Sequence, residues 1–161
     1  MKAVQISEKG GSFEVVEREI PSITDDQVLI KVEACGVCHS DQFVKEGMFP
    51  GIEYPRVPGH EVVGIIERVG KDVTSWSKGQ RVGVGWHGGH CFECKSCRRG
   101  DFINCEHAQI TGISFDGGYQ EYMAAPSEAL ALVPEELKSA DAAPLLCAGV
   151  TVFNALRNTS A

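Results

Sequence analysis

Apolar and polar residues alternate in short runs along much of the 161-residue chain. Lys2 to Ile6 and Phe13 to Glu17 read as strands on either side of Lys9-Gly10-Gly11, a turn signal. In the next run Val28, Ile30, Val32 and Ala34 fall on one face and Leu29, Lys31 and Glu33 on the other, the period of two of a strand. Ser40 to Glu46 predicts a short helix stopped by Gly47. Pro50, Gly51, Pro55 and Pro58 make residues 48–58 an irregular loop. Val62 to Val69, Arg81 to Val84, Tyr119 to Ala124 and Ala129 to Val133 read as further strands, with a long glycine-rich excursion over 86–118. The pattern then changes. Ser139 to Leu156 is rich in alanine and leucine and predicts helix, with Ser139 as N-cap and interruptions near Pro144 and Gly149. Many short strands and 18 glycines together predict a mainly β barrel or sandwich with a C-terminal helical tail.

Composition narrows the class. Apolar residues at 43% and charged residues at 23% suit a packed core. A net charge of -7 argues against nucleic acid and against anionic membrane surfaces as partners. The longest charge-free apolar stretch, Ala142 to Phe153, falls short of the ~18 residues a membrane span needs. Met1-Lys2-Ala3-Val4-Gln5 lacks the apolar core of a signal peptide, so a cytoplasmic location is expected.

The seven cysteines carry the chemistry: Cys35, Cys38, Cys91, Cys94, Cys97, Cys105 and Cys147. An odd number without a secretion signal counts against a disulfide-linked secreted domain. The spacing Cys91-x2-Cys94-x2-Cys97-x7-Cys105 predicts four thiolates closing a tetrahedron around one zinc ion. Such a shell has no open position and is structural; an iron–sulfur cluster is the alternative for the same ligands. Lys95, Arg98 and Arg99 lie among the thiols and offset the charge of a four-thiolate centre. A second constellation is scattered. Cys38-His39-Ser40-Asp41, Pro58-Gly59-His60-Glu61 and Cys147 supply two thiols and one imidazole, a three-ligand set that leaves a position for water or substrate.

These motifs, taken in order with Gly59-His60-Glu61-Val62-Val63-Gly64, Asp116-Gly117-Gly118-Tyr119-Gln120-Glu121-Tyr122 and Cys147-Ala148-Gly149-Val150-Thr151, give the chain a resemblance to the zinc-dependent medium-chain alcohol dehydrogenases. It is most similar to their bacterial primary-alcohol and cinnamyl-type branches. The resemblance implies a GroES-like β-barrel catalytic domain over 1–138, with a zinc lobe at 91–105, and a helical connector over 139–161 toward a Rossmann domain. It implies Cys38, His60 and Cys147 as catalytic zinc ligands and Cys91, Cys94, Cys97 and Cys105 as structural ones. Glu61 matches a carboxylate near the metal, Asp41 the acid that holds the His60 ring, and Ser40 the hydroxyl that takes the alcohol proton. His39 matches a position beside the cofactor pyrophosphate. Where some members carry a histidine three residues after that serine, this chain has Phe43, so the proton leaves by another route, through His39 or water. Trp86, Phe49 and Tyr54 are candidate channel residues, although a lone aromatic is more often ordinary core or surface padding.

The implied activity interconverts alcohols and aldehydes or ketones by hydride transfer with NAD or NADP, in a homo-oligomeric full-length form. The cofactor would bind through the second domain. Gly83-Val84-Gly85-Trp86-His87-Gly88 matches a dinucleotide fingerprint, but the cysteine lobe follows it rather than a helix, so it is not read as one. The alternative function is a stand-alone zinc-binding β-barrel module without redox activity.

Overall fold

The computed structural model describes residues 1–159; the last two residues of the expected connector, Ser160 and Ala161, lie outside them. Strands β1 (Lys2–Ile6) and β2 (Phe13–Glu17) form an antiparallel hairpin with Ala3 opposite Val16. The main sheet is built from β3 (Gln27–Cys35), β4 (Val62–Val69), β5 (Arg81–Val84), β8 (Tyr122–Pro126) and β9 (Leu130–Leu132). Its order is β8-β3-β4-β5-β9, with every neighbour antiparallel. Helix α1 (Ser40–Lys45) follows β3, and Gly47 ends it in the left-handed region at φ +62. The mainly β fold thus matches the alternation in the sequence.

The alternation has a direct packing consequence. Val28, Ile30, Val62, Ile66, Val82, Val84, Met123 and Ala125 are sealed from solvent in one cluster on one side of the sheet. Val63, one residue out of phase, packs on the other side with Val133, Ala142 and Ala143. Strand β4 is therefore buried on both faces, which is why it reads as a nearly continuous apolar run rather than an alternating one. A third cluster, Ile6, Val44 and Ile113, seats α1 against the hairpin and carries Phe49, Tyr54 and Trp86 at its edge.

Three details differ from the sequence expectations. The excursion over 86–118 contains short elements: β6 (His87–Gly89), α2 (Lys95–Arg98), a 3-10 turn (Phe102–Asn104) and β7 (Gln109–Ile110), which pairs with β6. Strand β8 begins at Tyr122 rather than Tyr119, because Tyr119 is bonded elsewhere: its carbonyl accepts from Val4 N and its N–H donates to Pro58 O. The helical tail comprises α3 (Ser139–Ala142), a 3-10 turn (Ala143–Leu146) and α4 (Ala148–Asn158). It bends by 52°. The interruption expected near Pro144 is present, since the 3-10 turn contains that residue and leads to the break at Cys147 (φ -131, ψ -79), whereas Gly149 lies inside α4. Ser139 does not cap. It is the first helical residue, and its hydroxyl donates to Glu33 Oε2 at 2.7 Å while accepting from Arg81 Nη2 at 2.8 Å.

No single helix among the described residues is long and apolar enough to cross a membrane. Ile66 is fully enclosed, so Ile66→Ala should lower the unfolding free energy by about 2–5 kcal/mol in chemical denaturation. Val152→Ala, on the exposed α4, should change it by no more than about 0.5 kcal/mol.

Candidate metal centres

In the cysteine lobe, backbone N–H groups aim the sulfurs inward. Cys94 N donates to Cys91 Sγ (3.4 Å), Cys97 N to Cys94 Sγ (3.5 Å), and both Cys91 N (3.4 Å) and His107 N (3.3 Å) to Cys105 Sγ. The turn between the first two cysteines forces Phe92 to φ 59, a conformation side chains rarely adopt. All four sulfurs lie within 4.8 Å of one another, and Cys91 and Cys105 are 3.6 Å apart. A tetrahedron with Zn–S bonds of ~2.3 Å has edges of roughly 3.8 Å, so the set fits one zinc ion. A multi-iron cluster, with its bridging sulfides, would spread the thiolates further. Electrostatics agree. N–H bonds from Cys97 and Glu106 lower the Cys94 thiol to about 6, whereas burial and then the adjoining Cys94 sulfur push Cys97 up to about 12. Only a cation among them lets all four ionise.

The second group joins three distant segments. Ligand atoms of Cys38, His60, Glu61 and Cys147 lie within 4.8 Å of one another, and the Cys38 and Cys147 sulfurs are 3.9 Å apart. Burial opposes ionisation of Cys38, but hydrogen bonding to Ser40 leads the effects that outweigh it and hold the thiol below its ordinary value; burial and the Cys38 charge push Cys147 up to about 12. His60 is 1% exposed, and its Nε2 is sealed without a partner. An orphaned buried nitrogen beside two thiols is the donor set a zinc ion satisfies. The other ring nitrogen, Nδ1, lies 3.5 Å from Asp41 Oδ1, and Trp86 packs edge-on against the ring at 4.9 Å.

Asp41 is itself buried. Its oxygens accept from Cys38 N (2.9 Å), Gly59 N (3.2 Å) and the Tyr119 hydroxyl (2.6 Å). Burial would raise its carboxyl, but bonds from His60, Tyr119 and Cys38 N prevail and hold it below the usual carboxylate range. Burial and the Asp41 charge push the Tyr119 phenol up, so it stays a donor. Gly59 sits at φ +97, and a Cβ there would strike the Tyr119 ring. Asp116 anchors this segment by accepting Val57 N (3.0 Å) and pairing with Arg18 (2.9 Å) and Arg56 (3.3 Å).

Ser40 Oγ lies 3.7 Å from Cys38 Sγ, and both Ser40 and Cys147 open onto a cavity of about 710 Å³ shared with Trp86, His87 and Ile103. His39 is exposed at the start of α1, edge-on to Phe43 at 5.1 Å, and does not line that cavity. Of the candidate channel aromatics only Trp86 lines it. Phe49 supports Trp86 at 5.6 Å, and the Tyr54 hydroxyl donates to Val44 O at 2.6 Å. Gly85 serves packing, since a Cβ there would meet the Leu146 carbonyl. Cys35 belongs to neither group; burial pushes its thiol up to about 12, and it fills space as a neutral side chain. A larger open cavity of about 980 Å³ lies around Arg81, whose guanidinium is already bonded to Glu33, Pro134 O, Leu137 O and Ser139.

Residues 24–135 match the family model described as the alcohol dehydrogenase GroES-like domain. The chain belongs to this family. It is 44% identical over 157 residues to the alcohol dehydrogenase patD of Penicillium expansum, covering 98% of this chain and 46% of that protein. It is 43% identical over 162 residues to an alcohol dehydrogenase of Geobacillus stearothermophilus, covering 100% and 48%. A cobalt- and zinc-bound thermostable alcohol dehydrogenase from Pyrobaculum aerophilum superposes with a TM-score of 0.89 at 31% identity, covering 99% of this chain and 49% of that one. CAD from Helicobacter pylori, complexed with NADP(H), gives 0.86 at 29%, covering 97% and 48%. The chain spans about half the length of these curated relatives.

The structure thus gathers Cys38, His60, Glu61 and Cys147, the last from the tail beyond the matched residues, into one group, with Ser40 and Asp41 beside it, and Cys91, Cys94, Cys97 and Cys105 into a second. It leaves His39 exposed and outside the cavity lining. Tyr119 went unassigned in the sequence, although its Asp-Gly-Gly-Tyr motif was visible, because nothing in a separation of 78 residues points it at Asp41. Two outcomes test these roles. Cys97→Ser should remove one metal ion per chain by elemental analysis and lower the thermal midpoint, because a structural zinc contributes folding energy. Asp41→Asn should weaken metal affinity at the three-ligand site by roughly 10–100-fold in chelator competition, with Tyr119→Phe a smaller change in the same direction.

Proposed function

We propose that the chain is the catalytic-domain portion of a zinc-dependent alcohol dehydrogenase that interconverts alcohols and aldehydes or ketones by hydride transfer with NAD or NADP. The observation that carries this reading is the sealed, unpartnered His60 Nε2 grouped with two thiols, one of which lines a cavity wide enough for a small alcohol. Cys38, His60 and Cys147 would hold the catalytic ion, and Cys91, Cys94, Cys97 and Cys105 the structural one. Zinc in the first site supplies Lewis acidity that makes an alcohol hydroxyl easier to deprotonate. A nicotinamide supplies the hydride acceptor.

The chain's own residues do the rest. Ser40 Oγ, on the cavity wall beside Cys38, accepts the alcohol proton and passes it outward. Phe43 cannot carry it further, so exposed His39, adjacent in the chain, or water delivers it to solvent; His39 is also read, by its match to the family position, as a residue beside the cofactor pyrophosphate. Asp41 fixes the His60 tautomer by accepting from Nδ1. Glu61, in the same ligand cluster, is the carboxylate that would stand near the ion. The exposed apolar residues Val150, Val152, Phe153 and Leu156 of α4 suit a connector toward a dinucleotide-binding domain, which the other half of the relatives' length leaves room for. Unpaired thiols suit a cytoplasmic setting, and the full-length enzyme is taken to be a homo-oligomer.

Alcohol-dependent reduction of NAD+ or NADP+ by the zinc-loaded enzyme tests this reading. Cys147→Ala and His60→Ala should abolish turnover, and Ser40→Ala should lower kcat by about 10²–10⁴-fold, the usual contribution of a proton-transfer group. A fully metallated enzyme with no turnover on primary, secondary or aromatic alcohols would leave only the zinc-binding module.

A further inference from the structure

One pair of side chains joins the cysteine lobe to the cavity. His87 Nε2 lies 2.9 Å from His90 Nδ1, a direct hydrogen bond between two imidazoles. His90 is stacked on Phe102 (4.1 Å) and flanked by Phe92 (4.2 Å, tilted), both from the lobe. His87 lines the same cavity as Ser40 and Cys147.

A neutral imidazole carries one N–H, so the bond has two forms. If His87 donated, the His90 proton would sit on Nε2, which is sealed from solvent and has no partner. Buried N–H groups without an acceptor are rarer in folded proteins than acceptors with unmet lone pairs. His90 therefore donates from Nδ1, and His87 accepts at Nε2 and must carry its own proton on Nδ1. That nitrogen bonds to nothing among the described residues and is not sealed. Burial and then neighbouring His90 also hold His87 below its ordinary value, which favours the neutral ring.

We propose that His87, locked by His90 as an Nδ1–H donor, is a specificity-determining residue that recognises a second oxygen, whether ether, hydroxyl or carbonyl, on the substrate. The proposal rests on the dehydrogenase reading for what occupies the cavity. Around His87 the walls include apolar Trp86, Ile103, Leu145 and Val150. A hydrocarbon chain there leaves the donor unpaired, and sites built to bond an oxygen discriminate against analogues lacking one.

Two measurements test it. In the zinc-loaded protein at pH near 8, nitrogen NMR of the histidine rings should find the His87 proton on Nδ1. Its resonance should move with 2-ethoxyethanol and not with 1-pentanol. A proton on Nε2 of His87 would overturn the proposal. In the holoenzyme, His87→Leu should lower the ratio of kcat/KM for 2-ethoxyethanol over isosteric 1-pentanol by roughly fivefold, one net hydrogen bond. His90→Phe should lower it less while the metal content stays constant. An unchanged ratio in His87→Leu sinks the proposal and spares the dehydrogenase. Failure of the unmodified enzyme to oxidise either alcohol sinks the dehydrogenase reading instead, and the NMR measurement, which needs no turnover, still decides the donor.

Discussion

The bonds that converge on the buried carboxylate of Asp41 organise the site. An ionised carboxylate out of water is costly unless its oxygens are met, and here they are met by Cys38 N, Gly59 N, the Tyr119 hydroxyl and the His60 ring. Those partners come from the entry to α1, the turn before β4 and the segment before β8. Satisfying one charge therefore fixes the relative placement of three segments that are far apart in sequence. Two of them, through Cys38 and His60, carry ligand atoms of the candidate catalytic centre.

The second constraint is charge among the sulfurs. Thiols packed within 4.8 Å of one another cannot all ionise unaided, and burial pushes Cys97 and Cys147 up while N–H and side-chain bonds pull Cys94 and Cys38 down. The fold thus pre-arranges ligands whose full ionisation awaits a cation. The four-cysteine group needs little from the rest of the fold, since its N–H···S bonds close within the lobe. The three-ligand group depends on tertiary packing. Cys147 reaches it only because the tail bends there, and α3 and the following turn are pinned to the sheet by Ala142, Ala143 and Leu146. The His87–His90 pair links the two groups physically, with the lobe gripping one ring and the cavity receiving the other.

Much of this was legible in the sequence. Alternating Val28, Ile30 and Val32 announced a strand because a half-buried sheet repeats every two residues. The cysteine spacing announced a metal lobe because its ligands are close in the chain. The interruption near Pro144 was legible because proline is a local helix breaker, but Gly149 does not break α4, and the sharp bend falls at Cys147, which sits beside Cys38 and His60. Ser139 looked like a cap because capping is a local rule, yet Glu33 and Arg81 from the sheet claimed its hydroxyl.

The sequence by itself determined which residue types were available and which short segments would be strand, helix or metal loop, because those depend on neighbours a few positions away. Only the tertiary structure decided that Tyr119 holds Asp41, that His60 keeps one sealed nitrogen free, and that His90 orients His87 toward the cavity. Each depends on burial by distant segments. Burial makes an unmet polar atom expensive, and so selects the single partner, tautomer or ligand that meets it.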